Sequence, residues 1–198
     1  MLNAMRLDVD RAMLLVIDFQ EKLLPFIDGR ERMLESALLL IRGVSIFELP
    51  VLVTEQYPKG IGATDATLAA ELKRVGATVS EKMPFSSCGD EAVRAKMRDM
   101  DGGQIIVCGI EAHVCVQQTT LDLLSMDHQV HVCADAIGSR SRMDYSIALD
   151  RMRQAGAVIT TVESVLFELC GECGTPRFKT MIELIKPPPR GGNAPSIG

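Results

Sequence analysis

Six short runs rich in apolar and β-branched residues recur along the chain, and a stretch with helical spacing separates each from the next. The runs fall at residues 12–19, 51–54, 78–81, 104–108, 129–134 and 158–161. Several are apolar throughout, as strands covered on both faces of a parallel sheet must be. Between them, residues 31–49 carry Met33, Leu34, Ala37, Leu38, Ile41, Val44 and Ile46 at roughly helical spacing. Residues 65–75 place Leu68 and Leu72 one turn apart, with Asp65 positioned to cap. Residues 90–100, 114–126 and 144–155 repeat the pattern through Val93 and Met97, Leu121 and Leu124, and Ile147, Ala148 and Met152. Gly76 and Gly156 each follow a helix and precede a strand, where a left-handed cap suits glycine. Strands alternating with helices predict an α/β domain with a mainly parallel six-stranded sheet.

A chain of 198 residues favours one domain, placed here at residues 1–186. Pro187-Pro188-Pro189 halts any helix, and residues 187–198 are rich in Gly, Pro, Asn and Ser, which predicts a disordered tail. Hydrophobic residues make up 47% and charged residues 24%, the balance of a soluble globular protein. The net charge is −5, Trp is absent and no basic stripe stands out, which argues against a nucleic-acid groove. No apolar run reaches the ~18 residues a membrane span needs. The N-terminal residues lack the pattern of a secretion signal, so the expected location is cytoplasmic. Six cysteines are too few for a disulfide scaffold, and Cys108 and Cys133 sit inside apolar runs as small hydrophobes.

Open parallel sheets bind ligands outside the carboxyl ends of their strands. Three titratable residues fall on that rim: Asp18 after the first run, Lys82 after the third, and Cys115 just after the fourth. A helix N-terminus and an ammonium lower the pKa of a nearby thiol, and a neighbouring carboxylate can move protons. His113 is two residues from Cys115, a spacing at which helical side chains do not face each other, so it lines a pocket rather than serving as the base. Phe19, Gln56, Tyr57 and Phe85 are the other expected pocket-lining residues, with core packing an equal alternative for Phe19 and Phe85. Arg140 between Ser139 and Ser141 can hold a substrate carboxylate, or form a loop ion pair or subunit contact. Cys170 and Cys173 form a lone Cys-x-x-Cys unit, too few ligands for zinc, and read as incidental thiols after the last helix.

The stretch Leu15-Val16-Ile17-Asp18-Phe19-Gln20, then Glu81-Lys82, then Gly109-Ile110-Glu111-Ala112-His113-Val114-Cys115-Val116 resembles the isochorismatase-like cysteine hydrolases. Gln117-Gln118-Thr119-Thr120-Leu121-Asp122, Ala134-Asp135-Ala136 and Glu163-Ser164-Val165-Leu166-Phe167 look specifically like the isochorismatase domain-containing proteins. The resemblance implies a three-layer α/β/α sandwich with sheet order 3-2-1-4-5-6. It implies an Asp18–Lys82–Cys115 triad, a cis peptide at Ile110–Glu111, and an oxyanion hole from the backbone amides of Glu111 and Cys115. On that order Lys82 must cover roughly 9–10 Å of sheet to reach Asp18. Nicotinamidases carry an Asp-x-His…His metal site after the second strand, whereas here that loop reads Thr54-Glu55-Gln56-Tyr57-Pro58-Lys59. The resemblance therefore implies no metal and no cofactor, a small-molecule amide-like substrate, C–N cleavage, and a homo-oligomer. A non-catalytic interaction protein on the same fold, and a thiol redox protein using Cys115 or the Cys170–Cys173 pair, are the alternatives.

Overall fold

The computed structural model describes residues 6–100 and 102–186, so the expectation for residues 187–198 lies outside the described residues. Strand β1 (Ala12–Ile17) is buried along its whole length. Its side chains alternate between two cores: Ala12, Leu14 and Val16 enter one, Met13, Leu15 and Ile17 the other. That two-sided burial is why the run is continuously apolar. The remaining strands are β2 (Val51–Gln56), β3 (Thr78–Lys82), β4 (Gln104–Ile110), β5 (Gln129–Gly138) and β6 (Val158–Thr160). All pair in parallel, in the order β3-β2-β1-β4-β5-β6.

The helices are α1 (Arg30–Ile46), α2 (Pro58–Ile61), α3 (Ala66–Arg74), α4 (Glu91–Asp99), α5 (Gln117–Ser125), α6 (Arg142–Gln154), α7 (Val162–Cys170) and α8 (Pro176–Ile185). Helices α1, α3, α7 and α8 cover the face reached by Leu14 and Val16, while α4, α5 and α6 cover the other. Asp65 caps α3 through the amides of Thr67 and Leu68, and Asp90 caps α4 through those of Ala92 and Val93. Helix α1 stops at Ile46, short of the expected residue 49, because Glu48 takes a positive φ and turns the chain toward Pro50 and β2. The helix expected from residue 114 instead begins as a wide π turn over Ala112–Val116, which then runs into α5. Helix α8 follows Cys173, so the Cys170–Cys173 pair lies between the last two helices rather than after the last one. Both thiols are free.

Strand β5 runs past the expected residue 134 to Gly138 because it bulges. Val107 pairs with Val132, yet Gly109 pairs with Ile137, so the strand spends extra residues around Asp135 before it resumes. The Asp135 carboxylate accepts from the Val162 amide at the start of α7. Beside this bulge β4 and β1 approach closely. A Cβ on Gly109 would lie 2.3 Å from the Ile17 carbonyl oxygen, and its φ of +145 is one side chains rarely adopt. Replacing Gly109 by Ala forces backbone apart immediately below Asp18. We expect Gly109→Ala to cost about 1–3 kcal/mol or more, read as a lower urea midpoint with an unchanged slope.

Candidate active site

The carboxyl ends of β1, β2 and β3 bring four polar side chains together below the surface. Asp18 leaves β1 with φ +53, a left-handed conformation that Asp tolerates better than most residues. This turn breaks the strand's alternation. Phe19 falls into the α1-side core at 0% exposure, while the Asp18 carboxyl adjoins Cys115, which belongs to the opposite core. Of its two readings, Phe19 takes core packing rather than lining the pocket.

Lys82 crosses the end of β2 to reach Asp18, with Nζ 2.7 Å from Oδ2 and both side chains 0% exposed. Its Nζ also donates to Gln56 Oε1 at 2.7 Å, Phe85 O at 2.9 Å and Pro84 O at 3.2 Å. Three ammonium hydrogens thus face four acceptors. Thr54 Oγ1 donates to Asp18 Oδ1 at 2.8 Å, so both carboxylate oxygens are engaged.

Gln56 is nearly buried, and its side chain is committed to Lys82 and to the Met83 carbonyl, to which Nε2 donates at 2.6 Å. It holds the lysine and the following loop. Gln20, which the sequence reading quoted but assigned no role, ties this layer to β1. Its Oε1 accepts from the Gln56 amide, and its Nε2 donates to the Gln56 and Gly62 carbonyls. A fully buried Gln two residues after a strand-end Asp was the signal available for it. Tyr57, Met83 and Phe85 stand exposed on the rim. Beside Lys82 a cavity of about 400 Å³ is lined by Tyr57, Pro58, Met83 and Pro84.

Cys115 sits in the π turn at 5% exposure. Burial pushes its thiol up to about 12, the Asp18 charge adds to that rise, and Lys82 only partly opposes it. This corrects the expectation of a lowered thiol pKa: the ammonium is already spent on Asp18, and the carboxylate faces the sulfur. Burial also raises Asp18, with Lys82 pulling against that rise.

Two residues before Cys115, His113 is half-buried with Nδ1 3.0 Å from Ser139 Oγ. The Ile110–Glu111 peptide is cis. Glu111 pairs with Arg140, so the 139–141 loop forms the internal ion pair that was one of its readings. A further cavity of about 530 Å³ opens between α1, β5 and α6, lined by Asp28, Arg32, Ser139, Arg142 and Tyr145. Neither Asp18, Lys82 nor Cys115 lines it. Among the described residues no group of three or more His, Cys, Asp or Glu side chains is arranged to hold a metal ion, and no helix is long and apolar enough to cross a membrane.

The isochorismatase domain model matches residues 12–164 of this chain. Isochorismatase domain-containing protein 2 of Danio rerio is 39% identical over 184 residues, covering 92% of this chain and 91% of the relative. The structure described as MAR1 ribonuclease of Caenorhabditis elegans superposes with a TM-score of 0.84 at 38% identity, covering 91% of this chain and 92% of that one. The YcaC gene product of Escherichia coli, described as an octameric hydrolase of unknown specificity, shares the fold at a TM-score of 0.84 and 24% identity, covering 92% and 91%.

Two outcomes follow from the geometry. Lys82→Met strands a buried carboxylate and should cost about 3–5 kcal/mol at neutral pH in urea unfolding. Without the lysine, the folded-state Asp18 pKa rises further above its ordinary 3.8, so the folded state holds the proton more tightly than the unfolded one. The loss should therefore shrink as pH falls from that raised value toward 3.8. Second, alkylation of Cys115 by iodoacetamide should keep rising with pH well beyond 9, where an ordinary thiol levels off. Asp18→Asn should move that rise to lower pH, since it removes a charge that opposes thiolate formation. A plateau near the ordinary thiol value in the unaltered protein would refute the second expectation.

Proposed function

The chain belongs to the isochorismatase domain family, and from that premise we propose that it is a metal-independent cysteine hydrolase that cleaves a small amide-like C–N bond through a covalent intermediate on Cys115. What supports this reading is a single shared carboxyl: Asp18 meets Lys82 Nζ at 2.7 Å and adjoins the Cys115 thiol on its other side. A nucleophile, a base and a fixed counter-ion are the parts that acyl transfer needs.

The high thiol pKa sets the order of events. Cys115 rests protonated, so its proton passes to Asp18 as the sulfur bonds to the carbonyl carbon. The carbonyl electron pair moves onto oxygen, which the Glu111 and Cys115 backbone amides would receive. Collapse of that adduct expels the amine, which takes the proton from Asp18 as it leaves. Asp18 then accepts a proton from water as the water attacks the thioester, and the thiol regains its proton when the acid departs. Lys82 stays charged throughout and keeps the Asp18 carboxylate in place.

The C. elegans relative is described as a ribonuclease. RNA binding calls for basic patches and stacking aromatics. With a net charge of −5 and no Trp, this chain is better suited to a small amide. The burial that raises the Cys115 thiol counts against a redox role and equally against a nucleophile that ionises at rest. We also infer assembly with copies of itself: Phe26, Met143 and Ile147 are large apolar residues left exposed, and the E. coli relative is described as octameric.

Incubation with a panel of small amides should yield ammonia or amine, and a thioester on Cys115 visible as an intact-mass increase after acid quench. Cys115→Ala should show neither product nor adduct. Asp18→Asn should slow turnover by about 10²–10⁴-fold. A Cys115→Ala variant that turns over an accepted amide at the unaltered rate would overturn the proposal.

A further inference from the structure

Glu111 lies between β4 and the π turn that carries Cys115, and nearly all its polar atoms are committed. Its carbonyl accepts from the amides of Val114 at 3.0 Å and Val116 at 3.2 Å. Its carboxylate accepts from Arg140 Nε at 3.0 and 3.1 Å, from Arg140 Nη2, and from the Arg140 backbone amide at 3.0 Å. One polar group is left over. Among the described residues, the Glu111 backbone N–H makes no well-formed hydrogen bond, the pairing of Ile110 with Gly138 bringing only the Gly138 carbonyl near it. A free amide four residues from a nucleophile is placed to receive a developing negative charge.

The burial of this pair is lopsided. The Glu111 side chain is 6% exposed and the Arg140 side chain 59%. The carboxylate is therefore the buried member, and the guanidinium closes over it from outside. Burial alone would push the Glu111 carboxyl up, but the Arg140 hydrogen bonds and charge bring it below the ordinary range. Without Arg140, a nearly buried carboxylate must take up a proton or swing toward water. Either change pulls on the backbone that carries the free amide. The same loop is stitched to the π turn a second time, through His113 Nδ1 and Ser139 Oγ at 3.0 Å.

We propose that Arg140 is a positioning residue: through the Glu111 carboxylate it aims the Glu111 backbone N–H at the oxygen of a substrate attacked by Cys115. The inference rests on the cysteine-hydrolase reading and adds the means by which its oxyanion site is held. The exposed guanidinium contributes little to the core, so its effect is on geometry near the sulfur rather than on folding. The two-pronged grip demands a guanidinium, because a lysine ammonium is a single point of charge.

The test compares two probes of Cys115 in the full chain. Butyraldehyde forms a thiohemiacetal: sulfur bonds to the aldehyde carbon, the carbonyl pair moves to oxygen, and the thiol proton passes by way of Asp18 to that oxygen. No oxidant is needed, and on the proposed geometry the adduct's oxygen meets the Glu111 amide. Iodoacetamide alkylates the same sulfur and expels iodide without forming an oxyanion. Aldehyde affinity is read as protection against alkylation, and adducts are located by peptide mass spectrometry. Arg140→Lys should bind butyraldehyde at least ~10-fold more weakly, against the 10²–10³ expected for loss of a whole donor. Its alkylation rate should be unchanged. Arg140→Ala should show the same split if circular dichroism confirms its fold.

Equal aldehyde affinity in the unaltered protein and both variants would overturn the inference. So would a parallel loss of both reactions, which would mark Arg140 as merely structural. An unaltered protein that alkylates at Cys115 but forms no aldehyde adduct would also overturn it. If Cys115 reacts with neither probe in the unaltered protein, the hydrolase reading itself falls.

Discussion

The Lys82–Asp18 ion pair is the constraint around which the rim is built. Both side chains are wholly removed from solvent, and moving such ions out of water costs several kcal/mol each. The structure offsets that cost with hydrogen bonds. Thr54 takes the second carboxylate oxygen, while Gln56 and the carbonyls of Pro84 and Phe85 surround the ammonium. Each of these groups must then be delivered to one point. Gln56 ends β2, so β2 must lie between β3 and β1. The bend after β3 must turn its carbonyls inward, which leaves Met83 and Phe85 facing outward on the rim. Gln20 locks the arrangement by pairing with the backbone of Gln56 and Gly62. Sheet order, loop path and rim surface are all consequences of keeping one buried cation satisfied.

Much of this was legible in the residues. The runs at β1 and β4 follow from two-sided burial, which leaves few polar positions to mistake, and Asp65 marked its helix start unambiguously. Asp18 and Cys115 stood out because polar groups at the ends of apolar runs lie on the ligand-binding rim of a parallel sheet. Other features depend on contacts that no local pattern encodes. Period-two reasoning puts Asp18 and Phe19 on the wrong faces, because it cannot foresee that Asp18 turns left-handed and reverses the alternation. Gln56 reads as a pocket residue until the lysine that occupies it is seen arriving from a strand 26 positions further on. The bulge in β5 is hidden by Asp135, whose charge interrupts the apolar run but whose carboxylate is used to start α7. Arg140 was ambiguous for the same reason: its partner, Glu111, is 29 residues away.

The thiol illustrates how proximity and activation differ. A cysteine near an ammonium is expected to ionise, but Coulomb attraction depends on the net charge nearby. Here the ammonium arrives already paired, so the sulfur faces a carboxylate and a near-neutral pair, and burial decides the outcome. A resting thiolate would add a second negative charge beside Asp18 in a water-poor site. On the proposed mechanism the proton stays on sulfur until an electrophile is present to accept the electron pair.

That choice determines which residue moves protons. Lys82 has no hydrogen free of a protein acceptor, and surrendering one would strand Asp18 as an uncompensated buried anion. On the proposed mechanism the lysine is a fixed partner of the carboxylate, and the proton transfers fall to Asp18. Burial raises the Asp18 carboxyl, which is the direction that makes it a stronger base toward the thiol. The burial that raises the barrier to a free thiolate thus also strengthens the base that makes one unnecessary.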